Sequence, residues 1–153
     1  MPEYLSMFTQ GTAALKKARD TLETTRALQL YGIALSYLEQ AAFSKYDTQQ
    51  EALFKSAEAN FEAGRLFMQL GDRQSAYCHY ASAVSLCNRT IRNPASIFMV
   101  GRVNLLAAKN YALHGKPYHA LTFLRFAQGY LPLDTEEYKQ LKDLEYALHP
   151  FIN

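Results

Sequence analysis

Apolar residues recur along this chain at helical spacing, and no segment alternates apolar and polar residues as a strand would. Leu28, Tyr31, Leu35 and Leu38 form one stripe. Tyr138, Leu141, Leu144 and Leu148 form another, the pattern of a helix with one buried face. Polar or turn-forming breaks separate such stretches at Tyr46-Asp47-Thr48, Gly71-Asp72, Asn93-Pro94, Gly115-Lys116-Pro117 and Leu131-Pro132. The reading is all-α, with seven helices: pairs over residues 3–43, 49–88 and 95–131, then a last helix over 135–148. Asp134, followed three residues later by Glu137, reads as a capping box that starts this last helix.

The second and third pairs repeat. Gly64, Phe67, Gly71, Ala76, Tyr80 and Ala83 fall on Ala108, Tyr111, Gly115, Ala120, Leu124 and Ala127, each 44 positions on, and Asn60 falls on Asn104. Small residues allow close helix approach, an aromatic fills the groove beside them, and Gly ends the first helix. This order resembles the tetratricopeptide (TPR) helix pair, although the spacing exceeds the usual ~34 residues. Ala27, Tyr31 and Ala34 repeat the pattern of Ala76, Tyr80 and Ala83, but Leu15 stands where a small residue is expected. The expected fold is therefore a TPR-like antiparallel helix-pair solenoid in a single domain, 1–153. The amphipathic last helix would cap its exposed end.

At 153 residues, 49% hydrophobic and 20% charged, the chain has the make-up of a folded globular domain. The first ten residues carry Glu3 and no signal-peptide core, and no apolar run reaches membrane-spanning length, so the expected setting is the cytoplasm or nucleus. Cys78 and Cys87 lie nine apart on one predicted helix, which places them on opposite faces as separate free thiols.

The net charge of +2 conceals a strong asymmetry. Between Arg73 and Leu133 there is no acid, while Arg73, Arg89, Arg92, Arg102, Lys109, Lys116 and Arg125 are all basic. Such a field steers acidic partners toward it. In TPR-type units the first helix of each pair lines a concave groove. By the repeat register Phe61, Arg65 and Met68 face it from one unit, and Arg102, Leu105 and Lys109 from the next. An apolar floor with cationic posts suits an acidic helix or peptide. The same apolar positions also fit ordinary packing between helices.

No catalytic or cofactor constellation emerges. His79, His114, His119 and His149 have no metal-ligand spacing, and there is no phosphate loop, dinucleotide fingerprint or nucleophile elbow. Glu136-Glu137 is explained by the dipole at a helix start. Aromatics within the basic segment keep packing spacing and are not interleaved with bases as a nucleic-acid stacking platform needs. Neither an enzyme, a metal protein nor a nucleic-acid binder is the expected class.

Ser36-Tyr-Leu-Glu-Gln-Ala-Ala-Phe, Gln50-Glu-Ala-Leu-Phe, Glu62-Ala-Gly-Arg-Leu-Phe-Met and Ala76-Tyr-Cys-His-Tyr-Ala-Ser-Ala-Val-Ser-Leu carry a further resemblance. With Leu105-Leu-Ala and Ala120-Leu-Thr-Phe, they resemble the amino-terminal half of the huntingtin-associated, factor VIII intron-encoded TPR-like family. SNAP-type adaptors are a second resemblance. The first implies a helical subunit held among the HEAT repeats of a huntingtin-like partner, without catalytic residue or cofactor. The second implies a transient adaptor for acidic peptides or helices. The chain lacks the family's long Pro-rich insert and carboxyl-terminal half.

Overall fold

The computed structural model describes residues 3–43, 49–90 and 94–152. Among these, seven α-helices and one short 3-10 turn follow one another and no strand occurs: α1 Glu3–Arg19, α2 Thr24–Ala42, α3 Gln49–Gln69, α4 Arg73–Arg89, α5 Pro94–Leu113, α6 Pro117–Gln128, α7 Glu136–Ala147 and the 3-10 turn His149–Phe151. The break expected at Tyr46–Thr48, and Asn93 of the break before α5, lie outside the described residues. The chain divides into two compact units, Met1–Ile91 and Arg92–Asn153.

In the first unit α1 pairs with α2, α2 packs on α3, and α3 pairs with α4. The stripe on α2 buries Ala27, Leu30, Tyr31, Ala34, Leu35 and Leu38 against Leu15 and Ala18 of α1 and Ala59 and Ala63 of α3. Full burial of each large apolar side chain contributes about 1.5–3 kcal/mol. Glu23 caps α2, its carboxylate accepting from Thr25 N at 3.0 Å and Arg26 N at 2.6 Å. Arg19 of α1 reaches Glu62 of α3 through two hydrogen bonds of 2.7 and 3.0 Å, with Glu58 3.6 Å away. The small residue that the register lacks at Leu15 has a counterpart one turn earlier. A Cβ on Gly11 would lie 2.7 Å from Leu38 Cγ, so the first hairpin makes its close approach there.

The second unit pairs α5 with α6 and lays α7 over them. Leu141 and Leu148, with the partly buried Tyr138 and Leu144, cover a core of Leu105, Ala108, Leu121, Leu124 and Leu131. This is the apolar stripe expected of the last helix. Its cap differs from expectation: Thr135, not Asp134, is the N-cap, its hydroxyl accepting from Tyr138 N at 3.2 Å. Thr135 holds extended backbone there and its short side chain reaches back to the first turn.

The hairpins α3–α4 and α5–α6 correspond almost bond for bond at a shift of 44. Gly71 and Gly115 both take positive φ, +80° and +69°, a conformation strained for other residues. Asp72 N donates to Phe67 O at 3.0 Å, and Lys116 N to Tyr111 O at 2.9 Å, closing each helix in the same way. Asn60 and Asn104 donate to the carbonyls of Ser56 and Val100, both at 2.9 Å. Phe67 stacks on His79 and Tyr111 on Phe123, with ring centroids 5.3 Å apart in both. Ala76, Ala83, Ala120 and Ala127 are fully buried.

Candidate interaction site

Of the six residues expected at a partner-binding groove, Phe61, Arg65 and Met68 lie on α3 in the first unit, and Arg102, Leu105 and Lys109 on α5 in the second. Phe61 and Leu105 are interior side chains, 4% and 2% exposed. Phe61 packs on Tyr80, with centroids 6.1 Å apart, and Leu105 joins the α5–α6–α7 core. They supply packing rather than an open apolar floor. On a helix buried over most of its surface the groove stripe and the packing stripe are neighbours, and periodicity alone does not separate them.

The cations are more accessible. Arg65 is exposed, with its guanidinium carbon 5.8 Å from the centre of the Phe61 ring. Arg102 is partly buried and lies 5.7 Å above Phe98. In both pairs the aromatic sits four residues earlier on the same helix, which holds the side chain against the helix surface. Met68 is partly buried. Burial pushes the Tyr31 and Tyr80 hydroxyls up to about 12, and the positive charge of Arg65 acts on both in the opposite direction. Arg65 thus stands near residues of α2, α3 and α4 together.

Lys109 departs from the expected solvated post. It is partly buried and donates from Nζ to Gln140 Oε1 on α7. Burial depresses its pKa, while Glu137 and Glu136 pull the other way. Its first role is to fasten α7 to α5. The partner lies 31 residues away across a tertiary contact, which no spacing rule reveals.

Two further features went unseen in the pattern. His79 on α4 receives a defined tautomer. Asn60 donates through Nδ2 to Ser56 O, so its Oδ1 faces His79 Nδ1 at 2.9 Å and takes the proton on that nitrogen. Burial holds the pKa of His79 below its ordinary value. Between α2 and α4 an open groove of 460 Å³ is lined by Glu39, Ala42, Phe43, Leu86, Arg89 and three small residues of α4 that precede Leu86. Arg89 stands 5.7 Å from the Phe43 ring centre. A signal for it existed in the exposed face of small residues on α4, Ala81, Ser82 and Ser85, but the aromatic wall comes from another helix.

Cys78 is an exposed free thiol and Cys87 a buried one, on opposite faces of α4 as expected. Burial pushes the Cys87 thiol up to about 12. Among the described residues no group of three or more His, Cys, Asp or Glu could hold a metal ion, and no helix is long and apolar enough to cross a membrane. Comparison with protein families, curated proteins and solved structures returns no match for this chain.

Proposed function

We propose that this chain is a non-catalytic scaffold subunit of the TPR-like solenoid type, and that it binds a protein partner through an acidic surface on that partner. The observation that carries the reading is the charge pattern: seven cations and no acid between Arg73 and Leu133. Arg65 adds an exposed cation braced over a ring. A braced guanidinium loses less rotamer freedom on meeting a carboxylate than a free one does. The bond-for-bond correspondence of the two hairpins supports the helical-repeat part of the reading. The resemblance to the huntingtin-associated family suggests a HEAT-repeat partner of the huntingtin kind. Leu113, Tyr118, Phe126, Leu133 and Tyr146, all exposed in the second unit, favour a lasting subunit over a transient SNAP-type adaptor, because permanent interfaces bury more apolar surface.

Affinity capture of the tagged chain with mass spectrometry identifies the partner, and association kinetics then test the contact. Reversing Arg65 and Arg102 together should slow association about tenfold or more and flatten its dependence on salt. An unchanged on-rate, or a partner whose contact surface is not acidic, removes the proposal. Fast dissociation on the scale of seconds would favour the adaptor reading instead. Lys109 is a poor choice for reversal, because a carboxylate there would lose Gln140 and meet Glu136 and Glu137.

A further inference from the structure

The groove between α2 and α4 lies wholly within the first unit, and Arg65 is not among the residues that line it. Its wall is Phe43, 73% exposed at the end of α2, and Leu86 of α4 stands beside it. The α4 side is paved with Ala81, Ser82 and Ser85, short enough for another helix to approach closely. One acid and one base line the same groove, Glu39 from α2 and Arg89 from α4. Neither side chain has a salt bridge or hydrogen bond among the described residues, and the Arg89 guanidinium stands 5.7 Å from the centre of the Phe43 ring. An acidic surface gains nothing here, since Glu39 repels what Arg89 attracts. A surface with one charge of each sign around an exposed aromatic is instead complementary to itself.

We infer that this groove is the interface through which two copies of the chain pair about a two-fold axis. In such an interface every contact occurs twice. Glu39 meets Arg89 of the partner subunit and Arg89 meets Glu39 of the partner subunit, while Phe43 and Leu86 form the apolar centre.

The two-fold arrangement has a test that no other occupant passes. Glu39→Arg and Arg89→Glu are made as separate full-length proteins, and the dimer is measured by analytical ultracentrifugation over a range of concentrations. In each variant alone both pairs become like-charged, so dimerisation should weaken about tenfold or more for each pair. Mixed one to one, the variants restore both pairs, one reversed and one in its native sense, and a heterodimer should form with affinity near that of the wild type. Circular dichroism checks that both variants fold, and Phe43→Ala, which leaves the charges intact, should weaken the dimer independently. A wild type that stays monomeric at every concentration overturns the inference. So does a dimer indifferent to the single reversals, a mixture no tighter than its parts, or a groove found occupied by a different protein while the chain stays monomeric.

Discussion

Gly64 and Tyr80 are matched in size across the α3–α4 crossing. A Cβ on Gly64 would sit 2.5 Å from Tyr80 Cε1 and 2.7 Å from Cδ1, inside a ring that is itself buried. At the equivalent crossing the pair is Ala108 and Leu124, a larger residue on one side and a smaller one on the other. Gly64→Ala should therefore cost about 1–3 kcal/mol of stability by overpacking. Gly64→Ala combined with Tyr80→Leu should recover most of it, since the pair then copies the second hairpin and also removes a buried hydroxyl without a partner. Chemical denaturation of the three variants decides the matter, and a double variant worse than the sum of the singles would sink the equivalence. His79 makes a second residue-scale prediction. Its folded pKa lies below the ordinary 6.5 because burial disfavours the charged ring. The unfolded chain then binds the proton more readily. The contribution is fully present above pH 6.5 and is lost as pH falls through that value toward the folded pKa. His79→Phe, the residue found at the matching position 123, should flatten this part of the stability–pH curve. An unchanged slope would contradict it.

Among the helices, the start of α7 can be tested with two substitutions. Thr135→Ala removes the side chain that accepts from Tyr138 N and should cost about 1 kcal/mol. Asp134→Ala should cost much less, because Asp134 is not the capping residue. Equal losses in thermal denaturation would restore the capping-box reading. The helices themselves were legible from local pattern: Gly71 and Gly115 end α3 and α5 through backbone conformations that few other residues accept, and the α7 stripe turns the residues its period names toward the core, Leu141 fully and Tyr138 and Leu144 partly buried. The letters leave the cap open because Asp134 and Thr135 are both good capping residues side by side, and the choice rests on the backbone angle. The site was less legible for a related reason. Arg65 and Arg102 each lie four residues after the aromatic that braces them, a spacing visible in the letters, but Phe61 and Leu105 needed knowledge of which neighbouring helix lies over them. Lys109, Phe43 and Arg89 owe their surroundings to residues far along the chain, and sequence spacing carries no record of such meetings.

At the scale of the molecule, charge is sorted rather than mixed. Residues 1–91 carry nine acids and nine bases, while residues 92–153 carry seven bases and five acids, all five between Asp134 and Glu145. Within the second unit the charged side chains of α5 and α6 are all positive and α7 brings the negative ones, so α7 opposes the field that α5 and α6 would present alone. The two cysteines offer a view of the first unit as a whole. Cys78 should take up an alkylating reagent at once in the native protein. Cys87, enclosed and held as the thiol rather than the reactive thiolate, should react only when the structure parts around it. Two thiols labelled equally fast in the native protein would count against this burial. Otherwise the second labelling event serves as a native clock, each tick recording one excursion of α4 out of its seat, and its rate in rising denaturant measures the free energy of that excursion without any added probe.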